Sequence, residues 1–149
     1  MAHEFHPTIL REYDVRGIVG DTLTEADAYA LGRTYGSIAR EEGAQRIAVG
    51  RDGRSHSGML EAQLVRGLTD SGVDAVMIGQ GPSPMLYFAT YYLGVDGGIQ
   101  VTGSHNPAEY NGFKLLLKGR SLFGEEIQAL GSRCAAGEWS EGRPRATMP

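Results

Sequence analysis

The stretch Arg46-Ile47-Ala48-Val49-Gly50-Arg51-Asp52-Gly53-Arg54 decides the fold. Its first five residues read as a buried strand, a short apolar run in which Ile47 and Val49 are β-branched. The run ends by delivering Arg51, Asp52, Gly53 and Arg54 into a loop, after which the pattern predicts a helix over about residues 57–71. Such a βα junction is where open α/β sheets place ligands. Asp52 reads as the organiser of this turn, paired with Arg51 or Arg54.

The alternation continues in both directions. Upstream, Thr24-Glu25-Ala26-Asp27 is an N-cap followed by early acids, and Ala28, Leu31, Tyr35, Ile38 and Ala39 recur at helical spacing until Gly43. Downstream, Val73-Asp74-Ala75-Val76-Met77-Ile78 is a strand. Gly79-Gln80-Gly81-Pro82-Ser83-Pro84 is then a rigid loop leading into a helix over about residues 84–93. Pro84 stands where a dinucleotide fingerprint needs its third glycine, and no G-x-x-x-x-G-K-[ST] loop is present. Gly97-Gly98-Ile99-Gln100-Val101-Thr102 and Phe113-Lys114-Leu115-Leu116-Leu117 are two further strands, and a last helix runs from Phe123 to near Gly137. Strands alternating with amphipathic helices predict an α/β fold, a three-layer domain with a mixed, mostly parallel sheet between helices. Residues 138–149, rich in Gly, Pro and Arg, read as a linker or frayed tail after a domain at residues 1–137.

A chain of 149 residues suits one domain with one core. The net charge of −4 gives no basic footprint for nucleic acid. Lone Cys134 allows no internal disulfide, the N-terminus lacks the pattern of a signal peptide, and no apolar run approaches about 18 residues. A soluble cytoplasmic protein without a membrane partner is expected.

Between the last two strands lies Thr102-Gly103-Ser104-His105-Asn106-Pro107, with Asn111-Gly112 read as a tight turn before the second strand, so Ser104 is displayed on a polar loop. A hydrolase nucleophile wants the G-x-S-x-G elbow, which is absent, and consecutive extended side chains point to opposite faces, which disfavours a Ser104–His105 dyad. A third reading is a serine that carries phosphate, whose charge calls for N–H groups and cations such as His105 and Lys114. A second constellation, Tyr13-Asp14-Val15-Arg16-Gly17, reads as two short extended pieces with a hairpin-like turn near Arg16-Gly17 that presents Arg16. It is either a surface Arg–Asp pair or a bidentate grip on a phosphate.

These motifs resemble one family. T-G-S-H-N-P followed by Y-N-G-F-K is similar to the active-serine loop of the α-D-phosphohexomutases, the phosphoglucomutase/phosphomannomutase group, in which many members have Ala where Gly103 stands. Y-D-V-R-G and the G-R-D-x-R run also match, so the resemblance covers nearly the whole chain up to its tail. It implies the first of four domains of an enzyme that moves phosphate reversibly between the 1- and 6-positions of a hexose (glucose, mannose or both). The route would run through a phosphoserine and a bisphosphorylated sugar such as glucose 1,6-bisphosphate. Ser104 would carry the phosphate, Arg16 and Tyr13 would contact it or the substrate, Lys114 would transfer a proton or stabilise charge, and His105 would be a neighbouring contact or acid–base group. Mg²⁺ would bind Ser104 through its phosphate, the remaining ligands lying outside this chain, because the family's Asp-rich metal loop belongs to its second domain. By itself the chain is therefore expected to fold, to catalyse nothing, and to self-associate at high concentration through surfaces that domains 2 to 4 would cover. The alternative is a non-enzymatic phosphosugar- or anion-binding module.

Overall fold

Thr24 starts the first long helix as its sequence suggests. In the computed structural model, which describes residues 2–142 and 146–147, its side chain accepts from the Asp27 N–H while the Asp27 carboxylate accepts from the Thr24 N–H, a complete capping box. Helix α1 (Glu25–Glu41) then buries Ala28, Leu31, Tyr35 and Ala39, and the chain turns at Gly43 with φ +87°. It packs on α2 (Ser57–Asp70) where Gly32 meets Gly67. A Cβ on either glycine would collide with the backbone of the other helix, so this close crossing depends on both.

The strands are β1 (Val15–Ile18), β2 (Arg46–Arg51), β3 (Asp74–Gln80), β4 (Gly97–Val101), β5 (Tyr110–Leu117), β6 (Arg120–Ser121) and β7 (Ala146–Thr147). They form one sheet in the order β1-β5-β4-β2-β3-β7, with β6 paired to β5. β4, β2, β3 and β7 run parallel, whereas β5 is antiparallel to β4, β1 and β6, so the sheet is mixed as expected. Side chains alternate between its faces. Ile47, Val49, Ile99, Val101, Phe113 and Leu115 join Leu31, Leu60, Leu64 and Leu68 of α1 and α2, and Ile127 and Leu130 of α4 (Glu125–Ala136), in the main core. On the opposite face Gly98 leaves room for Leu86 and Thr90 of α3 (Ser83–Tyr92), which completes three layers. Outward, α3 exposes Phe88 and Tyr92, stacked 5.6 Å apart, and Tyr91.

Several local expectations are corrected. Asn111-Gly112 is no turn; both residues lie inside β5, which begins at Tyr110, and Gly112 keeps an ordinary strand φ. The turn before β1 spans residues 11–14, closed by the Arg11 N–H to the Asp14 carbonyl at 2.9 Å. Arg16 is therefore inside the strand rather than at a hairpin tip. Gly79 and Gln80 continue β3 past a register shift opposite Val49 and Gly50, which the φ of +90° at Gly79 accommodates. Residues 139–142, read as linker or frayed tail, are packed instead. Trp139 Nε1 donates to Thr34 Oγ1 at 3.0 Å, its ring lies 4.9 Å from the Arg33 guanidinium carbon, and the Gly142 N–H reaches the Asp70 carbonyl at 2.9 Å. Among the described residues, no helix is long and apolar enough to cross a membrane.

Candidate active-serine site

The segment 102–109 leaves the C-terminal end of β4 beside the C-terminal end of β2, the edge where the βα junction predicted a ligand site. Ser104 is exposed and has a left-handed φ of +52°, one of two non-glycine residues with positive φ among those described. That conformation costs about 1–3 kcal/mol for a residue with a Cβ and persists only where the surroundings impose it. Here the Ser104 N–H donates to Thr102 Oγ1 at 2.9 Å, and the Asn106 N–H and side-chain amide both donate to the Gly103 carbonyl at 3.0 Å.

Arg16 reaches this loop from β1. It is only 2% exposed, and its Nη2 donates to Asp14 Oδ2 at 2.8 Å and to Ser104 Oγ at 3.3 Å, while Nη1 donates to the Thr102 carbonyl. Strand pairing sets Arg16 opposite Gly112 and Gln100 opposite Lys114, so Arg16 and Lys114 rise from the same sheet face as diagonal neighbours. Lys114 is half-buried and has no ion-pair partner among the described residues. His105 is exposed on the loop and forms no hydrogen bond with Ser104, and Tyr13 is 74% exposed on the turn before β1. The geometry thus brings Arg16 and Ser104 into contact and leaves Tyr13 and His105 open to solvent.

The sequence reading missed most of what supports the loop. Asp52 Oδ2 accepts from the Gly103 N–H at 2.9 Å and from Arg54 Nε at 3.2 Å; Oδ1 accepts from Ser57 Oγ at 2.5 Å and the Arg54 N–H at 3.1 Å. Its ion-pair partner is Arg54; Arg51 pairs with Glu61 at 2.8 Å. Burial alone would raise the Asp52 carboxyl, but the hydrogen bonds from Ser57, Gly103, Arg54 and Thr102 outweigh it and hold the group below its ordinary value. Asn111, fully buried, ties the far end of the loop to α2 by donating to Ser57 Oγ and His56 Nδ1, both at 2.8 Å, while His56 Nε2 meets the Ala108 carbonyl at 3.1 Å. The local reading of Asp52 as a turn organiser paired with Arg54 holds, but its reach to Gly103, about 50 positions away, lies beyond any local pattern.

The chemistry this permits is specific. Among the described residues Ser104 Oγ has one hydrogen-bond partner, Arg16, a donor that is never a base at physiological pH. No general base among the described residues is hydrogen-bonded to the hydroxyl to activate it for acyl chemistry, whereas a guanidinium beside the oxygen suits phosphate or developing negative charge. A Mg²⁺ ion would want several oxygen ligands. No group of three or more His, Cys, Asp or Glu able to hold a metal exists among the described residues, so these residues alone do not fit that ion.

Comparison with known proteins agrees with this arrangement. The sequence profile described as "Phosphoglucomutase/phosphomannomutase, alpha/beta/alpha domain I" matches residues 7–141. A phosphomannomutase/phosphoglucomutase of Pseudomonas aeruginosa is 45% identical over 135 residues, which is 91% of this chain and 29% of that protein. A phosphoglucomutase of Neisseria gonorrhoeae is 50% identical over 122 residues, 82% of this chain and 26% of its own length. A crystal structure of a phosphoglucomutase/phosphomannomutase family protein from Burkholderia thailandensis superposes with a TM-score of 0.92 at 38% identity, covering 97% of this chain and 33% of that one. The chain thus spans under a third of the length of these relatives. With its profile match, its fold and its serine loop in agreement, the chain belongs to the phosphoglucomutase/phosphomannomutase family, as the α/β/α domain I.

Proposed function

We propose that this chain supplies the active serine of a phosphohexomutase that interconverts hexose 1-phosphate and hexose 6-phosphate, with glucose, mannose or both as the sugar. The observation that carries the reading is the 3.3 Å contact from Arg16 Nη2 to the Oγ of a displayed, left-handed Ser104. In the forward step the bond between Ser104 Oγ and phosphorus breaks, and phosphorus bonds to a free hydroxyl oxygen of the sugar monophosphate. The hydroxyl proton passes to a base. Charge develops on Ser104 Oγ as it leaves, and the Arg16 guanidinium is placed to stabilise it. The resulting bisphosphate then returns its other phosphate to Ser104 Oγ, which restores phosphoserine and releases the isomeric monophosphate. Lys114, on the same sheet face as Arg16, adds positive charge beside the transferred group; Tyr13 and His105, both exposed, are contacts for substrate or phosphate.

Among the described residues the chain offers Ser104 and the two cations but no group of His, Cys, Asp or Glu able to hold a metal; in this reading the Mg²⁺ ligands and the remaining sugar contacts come from the other domains of the enzyme. The test uses the complete enzyme with glucose 1-phosphate and glucose 1,6-bisphosphate. Ser104→Ala is expected to abolish turnover, and intact mass of the wild-type protein is expected to show one phosphate that the variant lacks. Wild-type turnover by Ser104→Ala would remove the serine from the mechanism.

A further inference from the structure

We infer that Arg54 is the positioning residue of the active-serine loop, holding Ser104 in its left-handed conformation beside Arg16 without itself touching the reacting oxygen. A guanidinium has five N–H donors in a rigid planar fork. In Arg54 all five are used. Nη1 donates to the Pro107 carbonyl at 2.7 Å and the Tyr110 carbonyl at 3.2 Å; Nη2 donates to the Ser104 carbonyl at 3.1 Å and the Asn106 carbonyl at 2.8 Å. Nε donates to Asp52 Oδ2 at 3.2 Å. One side chain from the β2–α2 loop therefore collects four carbonyls that a segment of seven residues, 104–110, would otherwise turn in different directions.

Two further observations make this arrangement directional. Asp52, which fixes Nε, also accepts the Gly103 N–H at 2.9 Å, so the residue before Ser104 is held from the same anchor as the residues after it. The guanidinium also lies over the α-carbon of Gly103, in the space a Cβ at that position would enter, so the absence of a side chain there lets the fork seat against the loop. Arg54 donates nothing to Ser104 Oγ; that contact belongs to Arg16. The division is clear: Arg54 sets where the serine is, and Arg16 meets the charge.

This role rests on the phosphoserine reading only for its effect on rate; the effect on the loop stands apart from it. A lysine offers three donors from one point and cannot span four carbonyls and a carboxylate, so Arg54→Lys is the informative change, with Arg54→Ala beside it. In the complete enzyme, amide hydrogen exchange in the peptide covering residues 103–110 is expected to rise by about tenfold or more in both variants, while peptides from α1 and α2 keep wild-type rates. With glucose 1-phosphate and glucose 1,6-bisphosphate, kcat is expected to fall about 100-fold with KM within about threefold, the signature of a misplaced reacting group rather than lost binding. Unchanged exchange in residues 103–110 of Arg54→Lys overturns the inference, and so does faster exchange spread evenly through the chain. A loosened loop with wild-type kcat overturns the positioning role as well. Ser104→Ala, measured in parallel, separates the two ideas: turnover in that variant refutes the phosphoserine reading, while the exchange result still judges Arg54.

Discussion

Gly112 lies directly opposite Arg16 in the β1–β5 pairing, and a Cβ on Gly112 would collide with the carbonyl oxygen of Val15. The glycine thus lets β1 approach closely enough for Arg16 to extend over the sheet to Ser104. Gly112→Ala must push back main chain rather than a flexible side chain, and overpacking of that kind costs about 1–3 kcal/mol. The variant is expected to melt lower by that amount and to lose turnover in the complete enzyme, because the strand that moves is the one carrying Arg16. Chemical denaturation and a kcat measurement check it; wild-type values for both would show that β1 has room to spare.

Two carboxylates, the half-buried Asp52 and the buried Glu61, make opposite contributions to acid stability. Hydrogen bonds outweigh burial at Asp52 and lower its folded pKa, so its contribution is present above the unfolded value of about 3.9 and is lost as pH falls through the depressed folded value. Asp52→Asn should therefore be less stable than wild type at pH 7, with the gap closing below about pH 4. Glu61 is raised by burial, which the charge and hydrogen bond of Arg51 only partly offset, and its Oε2 is buried without a hydrogen-bond partner among the described residues. An acid with a raised folded pKa gains stability as pH falls through that value towards the unfolded one of about 4.3. Glu61→Gln lacks that gain, so wild type should improve relative to it between neutral pH and about pH 4.5. Urea melts of the three proteins across pH 3 to 7 would expose a reversed trend in either variant.

How far each feature was legible follows from how local its cause is. The Thr24–Asp27 capping box, the periodic Leu31 and Tyr35, and the apolar runs of β2, β3 and β4 are short-range signals, and they placed the helices and most strands within a few residues. Asn111-Gly112 carries the same letters as a hairpin turn but owes its glycine to the neighbouring strand's backbone, which no local pattern encodes. Arg16 stands out in the sequence through its motif, yet its burial depends on a turn at residues 11–14 and on pairing with β5. Arg54 binds carbonyls about 50 positions away; backbone acceptors have no sequence identity, so that network was invisible before the fold.

Trp139 shows the same limit in the tail. Composition suggested a frayed segment, but the indole packs on α1, donating to Thr34 and receiving the Arg33 guanidinium over its ring while its edge meets Tyr29 at 6.5 Å. Since the side chain is only half-buried, Trp139→Ala is expected to cost about 2 kcal/mol, below the usual range for a fully buried aromatic. Trp139→Phe should recover the ring contacts and leave the Thr34 hydrogen bond unmade, with a loss of about 1 kcal/mol. Thermal or urea unfolding measures both, and a Trp139→Ala protein as stable as wild type would mean that the segment contributes nothing to the domain.

Arg16 is the residue for which stability and activity must be separated. Its side chain is 2% exposed and serves Asp14, the Thr102 carbonyl and Ser104 Oγ together, so removing it both leaves the buried Thr102 carbonyl without this donor and takes away the donor at Ser104 Oγ. The first effect costs about 1–3 kcal/mol and the second about 100-fold or more in kcat. Asp14→Asn isolates the first: it weakens the ion pair at 2.8 Å while leaving the contact to Ser104 Oγ in place. Arg16→Lys keeps a charge but has no fork to reach three partners. The expected result is a lower melting temperature for both variants with a severe loss of kcat only in Arg16→Lys. If the two variants lose kcat in proportion to their loss of stability, Arg16 acts as a strut for the loop, and the proposed stabilisation of charge on Ser104 Oγ by Arg16 is overturned.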